Sequence, residues 1–255
     1  MSRLLPVSAC LSIVFLVSTA SAGQIAVTYD SAGSQQPLPS LCSDCFLTFN
    51  NLKKGIQNYT AAFGTTGVTG TYTNIDIVPA DLYGGADATG KYAVVGARTG
   101  TASYTLSLNR PVSYFGLWWS AGSPLNSLQF FSAGASLGTF STADLIPLLG
   151  TCSKTSTNPF CGNPNSLNRE QDRAELFTYL NFFGANGTAF DKIVFRNSGA
   201  TSFESDNHAV LPSVPGTFTG TQVETLGTSE PATLVLLFIP ALLLYRNRRR
   251  FLQGC

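Results

Sequence analysis

The chain between residues 25 and 210 is dominated by short runs in which β-branched or aromatic residues alternate with polar ones. Gly, Pro, Asn or Asp bound each run, which is typical of strands joined by turns. The pattern predicts strands over residues 25–30, 45–50, 71–78, 91–97, 102–108, 112–119, 126–132, 135–140, 190–195 and 202–210. This short, regular spacing favours an all-β fold, a two-sheet β-sandwich with jelly-roll-like topology.

Two stretches depart from the alternation. Residues 141–150 have a Ser/Thr cap, an acid in the first turn and a final Gly, which predict a short helix interrupted by Pro147. Residues 175–183 are apolar at most positions and predict a strand that is buried on both faces. Between them, residues 151–168 are rich in Ser, Thr, Asn and Pro and predict a long loop. Residues 211–228 lose the aromatic rhythm and predict a spacer.

The N-terminus has the three parts of a secretory signal peptide. Arg3 precedes an apolar run over residues 4–17, and small residues follow it up to Ala22. This order predicts that residues 1–22 are removed by signal peptidase, with cleavage between Ala22 and Gly23. The protein is therefore expected to be exported.

Charge and length limit the class of the exported part. One of the 15 basic residues lies in the leader and four lie near the C-terminus, which leaves 10 basic against 14 acidic residues between positions 23 and 231. No basic surface for nucleic acid is implied. The length suits one sizeable core, and we predict a single domain over residues 23–210.

Four cysteines in this region form two close pairs, Cys42 with Cys45 and Cys152 with Cys161. Thiols of exported proteins are usually oxidised, so an even number predicts two disulfides. Four cysteines allow three pairings, and the short loops make the two close pairs the simplest. Zinc is the alternative, because C-x2-C is a common half-site, but the spacing of the second pair does not fit one.

Candidate catalytic groups are few. His208 is the only histidine, and Asp206 lies two residues before it, which places the two on the same face of a regular strand. A secreted hydrolase would have to use His208 as its general base. Because no nucleophile elbow, zinc-protease helix or nucleotide-binding loop is present, we predict no enzyme activity and no cofactor.

Acidic residues allow a calcium hypothesis at two places, Glu204 with Asp206 and Asn207, and Asp81 with Asp87. Neither stretch matches an EF-hand or a calcium-binding repeat. The favoured alternative is that the glycine-rich stretch forms a turn and that the acids of the strand end bond to backbone N–H groups. We therefore predict no metal site.

Trp118 and Trp119 are consecutive on a predicted strand and point to opposite faces. One ring could pack inside while the other offered a flat surface to a sugar, which makes both candidates for glycan contact in a carbohydrate-binding module. The alternative, which we favour, is that both rings fill core on the two sides of a covered strand.

Residues 229–255 end the chain with an apolar run and a cluster of arginines. As a helix, residues 232–245 would measure about 21 Å against roughly 30 Å of hydrocarbon, and Pro240 lies in the middle. The leucine-rich composition still predicts a short transmembrane helix. The positive-inside rule keeps the following cluster on the cytoplasmic side: Arg246, Arg248, Arg249 and Arg250.

The order of "SEPATL", a short apolar helix and "RNRRR" resembles the PEP-CTERM sorting signal. The resemblance implies a substrate of exosortase, a membrane-embedded cysteine protease of Gram-negative bacteria. Ser229, Glu230 and Pro231 would be the recognition residues, and the arginines would retain the tail in the inner membrane until cleavage. Ser229 stands where the family usually has the first proline of Pro-Glu-Pro.

The domain also resembles one group of exosortase-dependent surface proteins, in the stretches "YFGLWWSAG", "LYGGADATGKY" and "FDKIVFRN…SFESDN". Where that group tends to carry an Asp after "WSAG", this chain has Ser123. The resemblance implies a non-enzymatic structural or adhesive protein of the cell surface or extracellular matrix, with exopolysaccharide or biofilm as its setting.

Overall fold

The computed structural model describes residues 23–86, 88–169, 171–214 and 218–227. These residues form a predominantly β structure with one short helix, α1 (Thr142–Leu149). The strands are β1 (Gln24–Tyr29), β2 (Phe46–Leu47), β3 (Gly55–Ala62), β4 (Thr69–Pro79), β5 (Lys91–Gly96), β6 (Ser103–Val112), β7 (Tyr114–Gly122), β8 (Asn126–Ser132), β9 (Ala135–Ser141), β10 (Leu176–Ala185), β11 (Phe190–Asn197), β12 (Ser202–Leu211) and β13 (Thr221–Gly227). The predicted all-β class is confirmed.

Helix α1 forms where the capping residues predicted it. The backbone N–H and the hydroxyl of Ser141 both donate to the Asp144 carboxylate, at 2.7 and 2.8 Å. Gly150 ends the helix with φ 83°, a conformation that glycine adopts at little cost. The predicted short helix with Pro147 inside it is confirmed.

Backbone hydrogen bonds join the thirteen strands into one sheet that curls into a half-barrel. Its main path runs β13-β1-β10-β7-β12-β5-β4-β6-β11-β8-β9, with β2 beside β12 and β3 beside β4. Residues 70–73 of β4 pair with β6, whereas residues 76–79 pair with β5. Asn74, between the two stretches, has a left-handed φ of 60°. The expected two separate sheets are therefore one, because β4 hydrogen-bonds to both halves.

The curled sheet encloses one aromatic core. Phe195 on β11 stacks on His208 of β12 at 5.1 Å, and Phe130 on β8 contacts Phe182 of β10 at 4.8 Å, so the two halves of the sheet meet across it. These four residues are fully buried. Burial of such large apolar rings is the main contribution to the stability of a fold of this kind.

The middle of the sheet is covered on its outer face as well. Residues 176–183 of β10 are all buried, which confirms the strand predicted to be buried on both faces. Leu180 and Phe182 belong to the enclosed core, whereas Tyr179 and Phe183 belong to two smaller clusters on the other side of the strand. The loops that supply those clusters lie over β10 and β7.

The structure corrects two predictions at the edges of the sheet. Strand β13 lies within residues 211–228, which were predicted to be a spacer, and pairs with β1 so that Gln24 lies opposite Gly227. Leu226 supplies its apolar anchor, buried in the core. Strand β3 was not predicted, because its inner face carries Gln57 beside Tyr59 and Ala61 and so gives no clear apolar alternation.

Both close cysteine pairs lie at disulfide distance, Cys42 with Cys45 and Cys152 with Cys161, each with a Cα–Cα separation of 5.5 Å. The simplest of the three possible pairings is thus confirmed. The second disulfide closes part of the long loop over residues 151–168, and a backbone β-bridge between Cys161 and Leu176 joins that loop to the start of β10.

Candidate functional site

Several loops meet at one end of the sheet and enclose an open cleft of about 520 Å³. They are the connections β4–β5, β5–β6, β7–β8 and β11–β12 and the segment before β10. Loops held on a rigid sheet are where binding residues concentrate. The lining residues are Asp81, Tyr83, Ala97, Arg98, Ala121, Ser123, Glu175, Ala200, Thr201, Ser202 and Glu204.

One wall of the cleft is an ion pair supported by a tyrosine. Arg98 Nη1 lies 2.7 Å from Asp81 Oδ2 and donates to the Tyr92 hydroxyl at 2.9 Å. The Tyr92 hydroxyl donates in turn to Asp81 Oδ1 at 2.9 Å. The backbone N–H of Tyr83 donates to the same oxygen, which fixes the turn and leaves the Tyr83 ring 44% exposed. The wall therefore combines a neutralised charge pair with an accessible ring.

The loop before β10 is attached to the β4–β5 loop through side-chain amides. The Asn163 amide donates to the Leu82 carbonyl at 2.9 Å, and the Asn168 amide donates to the Asp81 carbonyl at 3.0 Å. Asn165 bonds to the Gly85 carbonyl in the same way. These bonds hold two loops that are distant in sequence next to each other on one side of the cleft.

Glu204 lines the cleft from β12 and is its least solvated charged group. The residue is only 5% exposed, and it makes no hydrogen bond or ion pair with any residue that the structure describes. Burial, and then the nearby Glu175 carboxylate, raises the pKa of Glu204 to about 9. The side chain is therefore a neutral acid near pH 7, able to donate and to accept a hydrogen bond.

Glu175 stands at the start of β10 and lines the same cleft. Burial, and then the charge of Asp172, raises the pKa of Glu175 to about 7. Burial also raises the pKa of Asp172, whose Oδ2 atom is buried without a hydrogen-bond partner. Acids thus outnumber bases here, since Arg98 is already paired with Asp81.

His208 does not lie in the cleft, and it does not share a face with Asp206 as predicted. Asn207 has a left-handed φ of 49°, and the pairing of β12 with β7 shifts between Asp206 and Ala209. This bulge turns His208 into the enclosed core, while Asp206 accepts from the Ala86 N–H on the outer face at 2.8 Å. One extra residue in a strand reverses the facing of the side chains that follow.

The buried imidazole is fully satisfied. Its Nδ1 lies 2.9 Å from the Tyr72 hydroxyl, and its Nε2 lies 3.0 Å from the Ser205 hydroxyl. Burial lowers the pKa of His208 to about 3. A serine beside a histidine is the arrangement of a nucleophile and its base, but Ser205 and His208 are both 0% exposed. In this conformation no substrate can reach them.

Three residues of the calcium hypothesis, Asp81, Asp206 and Asn207, are engaged in other bonds, whereas Glu204 is not. Asp206 accepts from backbone N–H groups of Ala86 and Asn207, and the Asn207 amide donates to the Gln35 carbonyl at 2.7 Å. Asp81 is paired with Arg98. Asp87 lies outside the described residues. Within the described ranges, no group of three or more His, Cys, Asp or Glu side chains is placed to hold a metal ion.

Trp118 and Trp119 are both 0% exposed, which corrects their assignment as possible glycan contacts. Trp119 packs in the enclosed core, 4.3 Å from Phe203, and Trp118 packs outside it, 6.0 Å from Phe177. The alternative is confirmed: the two rings fill core on opposite sides of a covered strand. Neither indole N–H has a hydrogen-bond partner among the residues that the structure describes.

The predicted processing residues fall almost entirely outside the described part of the chain. Gly23 is the first described residue, whereas the others cannot be placed: Ala22, Ser229, Glu230, Pro231, Arg246, Arg248, Arg249 and Arg250. Among the described residues, no helix has the length and apolar character needed to cross a bilayer.

Sequence reasoning did not find Tyr83, Arg98 or Glu175 as site residues, and it met Glu204 only as a calcium candidate. The four residues come from separate loops and strands, so no spacing in the sequence links them. The one feature of the sequence that could have indicated the site is the position of Arg98, which comes directly after a predicted strand in a region with few charged residues.

No protein-family model, no curated protein and no solved structure matches this chain.

Proposed function

We propose that this protein is an exported, exosortase-sorted component of the cell surface or extracellular matrix, with a non-enzymatic structural or adhesive function in exopolysaccharide or biofilm. The observation that carries the proposal is the C-terminal order of Ser229–Glu230–Pro231, an apolar run and an arginine cluster. Signal peptidase and exosortase would be its processing partners. The inner membrane of a Gram-negative bacterium would hold it transiently.

Two further observations support this proposal. The pairs Cys42–Cys45 and Cys152–Cys161 are consistent with an extracellular protein, because disulfides persist in oxidising compartments. The histidine needed for a hydrolase is buried with a lowered pKa, which favours a non-enzymatic function over that alternative.

Mass spectrometry of the protein from the cell surface and from the medium tests the proposal. We expect a mature chain that begins at Gly23 and ends within the tail, upstream of the arginine cluster. Replacing Glu230 and Pro231 with Ala should leave the uncut form in the membrane fraction. Ser229→Pro, which restores the usual motif, is the matched control and should be cut at least as well as the wild type. Recovery of a surface chain that extends to Cys255 would refute sorting by exosortase.

A further inference from the structure

Glu204 is a largely buried acid that lines an open cleft, and its carboxyl makes no hydrogen bond to a described residue, although the charge of Arg98 acts on it. A buried carboxyl group that lacks a hydrogen bond costs about 1–3 kcal/mol, so side chains in this situation are normally paired. Glu204 is 95% removed from solvent, yet no described residue bonds to its carboxyl. The nearest residue across the strand pair, Ser120, has a buried hydroxyl that also lacks a partner. A ligand in the cleft would give the Glu204 carboxyl the partner it lacks.

The size and lining of the cleft indicate what kind of ligand fits. Its volume of about 520 Å³ lies within the usual range for small-molecule sites, roughly 300–1,000 Å³. The lining alternates hydroxyl, carboxyl and guanidinium groups with the methyl groups of Ala97, Ala121 and Ala200. At the rim, the exposed ring of Tyr83 offers a flat apolar surface. Such a surface next to many hydrogen-bonding groups suits a ligand with an apolar face and a polar edge.

The charges of the lining residues further limit the class of ligand that the cleft can bind. The guanidinium of Arg98 is paired with Asp81 at 2.7 Å and also interacts electrostatically with Glu204, so its charge is already shared between two acids. An anionic ligand would therefore find no free positive charge among the described lining residues. A bare divalent cation is disfavoured, because no described group of three acidic, His or Cys side chains is placed to bind one. Neutral or amino-bearing ligands remain.

We propose that this cleft binds one or two units of a neutral or amino-bearing sugar, with the Tyr83 ring against the apolar face of the sugar and Glu204, Glu175 and Arg98 bonded to its hydroxyl or amino groups. The inference rests on the proposed function only in the choice of a surface polymer as the natural ligand. The proposed sugar site thus lies in the loops at the end of the sheet and does not include the buried Trp118 and Trp119.

Binding to the mature protein, measured by isothermal titration calorimetry, tests the site. The probes are a glucose disaccharide, a glucosamine disaccharide, a galacturonic acid disaccharide and calcium chloride alone. We expect one or both of the first two to bind and the galacturonic acid disaccharide to bind at least tenfold more weakly. Tyr83→Ala and Glu204→Leu should each weaken binding at least tenfold.

Leu167→Ala is the matched control, because Leu167 is also a large exposed residue, at 64%, and does not line the cleft. It should bind like the wild type. If Glu204→Leu does not fold, Tyr83→Ala decides the question, since its ring is exposed. Three outcomes overturn the proposal: neither the glucose nor the glucosamine disaccharide binds the folded protein, both cleft variants bind normally, or calcium binds and sugars do not. Processing is measured separately by mass, so a correctly cut chain that binds no sugar refutes the site and leaves the sorting proposal intact.

Discussion

Glu204 on β12 lies directly opposite Ser120 on β7, and neither side chain hydrogen-bonds to a described residue. Directly opposed residues of an antiparallel pair point to the same face of the sheet. Two unpaired polar groups therefore lie together on the outer face of two central strands. The fold tolerates this cost because the surrounding strands are held by the aromatic core on their other face.

The first prediction concerns Glu204→Gln. Burial raises the pKa of Glu204 from 4.5 to about 9, so the folded protein keeps a proton that the unfolded chain releases. Stability must then fall as pH rises between these two values. Glutamine cannot ionise, so the variant should match the wild type near pH 4.5. It should exceed the wild type by on the order of 5 kcal/mol at about pH 8.

Urea unfolding at several pH values measures this difference. Glu175→Gln is the matched comparison, because the pKa of Glu175 is raised only to about 7. As pH rises, the difference in free energy of unfolding between Glu175→Gln and the wild type should stop growing near pH 7. The corresponding difference for Glu204→Gln should continue to grow above that pH. If the difference in free energy of unfolding between Glu204→Gln and the wild type does not change with pH, the raised pKa of Glu204 is contradicted.

The second prediction concerns the single histidine, which NMR can follow without overlap from any other imidazole. Burial lowers the pKa of His208 from 6.5 to about 3, so the ring should stay neutral down to about pH 4. Because the unfolded chain takes up a proton below pH 6.5, the contribution of His208 to stability is present above that pH and is lost as pH falls toward 3. An imidazole that titrates near pH 6.5 in the folded protein would show that His208 is accessible.

The third prediction concerns the two tryptophans. Trp118→Ala and Trp119→Ala should each lower the free energy of unfolding by about 3–5 kcal/mol, because each removes a fully buried ring and leaves a cavity. Tyr83→Ala, at an exposed aromatic position, should change it by about 0.5 kcal/mol or less. Urea denaturation of the three variants makes the comparison. A tryptophan variant as stable as Tyr83→Ala would be inconsistent with the buried position of that ring.

The fourth prediction concerns the disulfides. Replacing Cys152 and Cys161 with Ala should lower the free energy of unfolding by about 2–3 kcal/mol. The reason is that the unfolded chain gains conformational entropy when the loop between these two residues is no longer closed. Replacing Cys42 and Cys45 should cost less, since that bridge closes a shorter loop. Thermal unfolding in the absence of reductant compares the two pairs. The opposite order of stability would argue against the loop-length explanation.

Much of the sheet could be predicted from the sequence because alternation is a local property. A window of about ten residues is enough to predict the strands around Trp118 and Ile193, the doubly buried β10 and the capped helix α1. Strand β3 could not be found this way, because its inner face, Gln57, Tyr59 and Ala61, is only partly apolar and partly buried. Strand β13 has a single buried anchor among its described side chains, Leu226, and depends on its pairing with β1.

The candidate site was less predictable, because it depends on contacts between distant parts of the chain. Tyr83, Arg98, Glu175 and Glu204 meet only after the sheet has formed and the asparagine amides have joined two loops. The orientation of the His208 side chain was predicted wrongly for a different reason. A single left-handed residue, Asn207, shifts the alternation by one, and strand periodicity gives no sign of it.

The pairing of Gln24 with Gly227 places the first and last strands side by side at one end of the sheet. From that end, Gln24 pairs with Ala185 on β10, and Phe183 on the same strand pairs with Tyr114. The first cleft-lining residue of β7, Ala121, lies seven residues beyond Tyr114, about 23 Å away at the rise of an extended strand. Gly23 and Gly227, the first and last described residues, thus lie at the same pole. A protein held at the membrane by that pole would direct its sugar-sized opening outward, toward the polymer rather than the lipid.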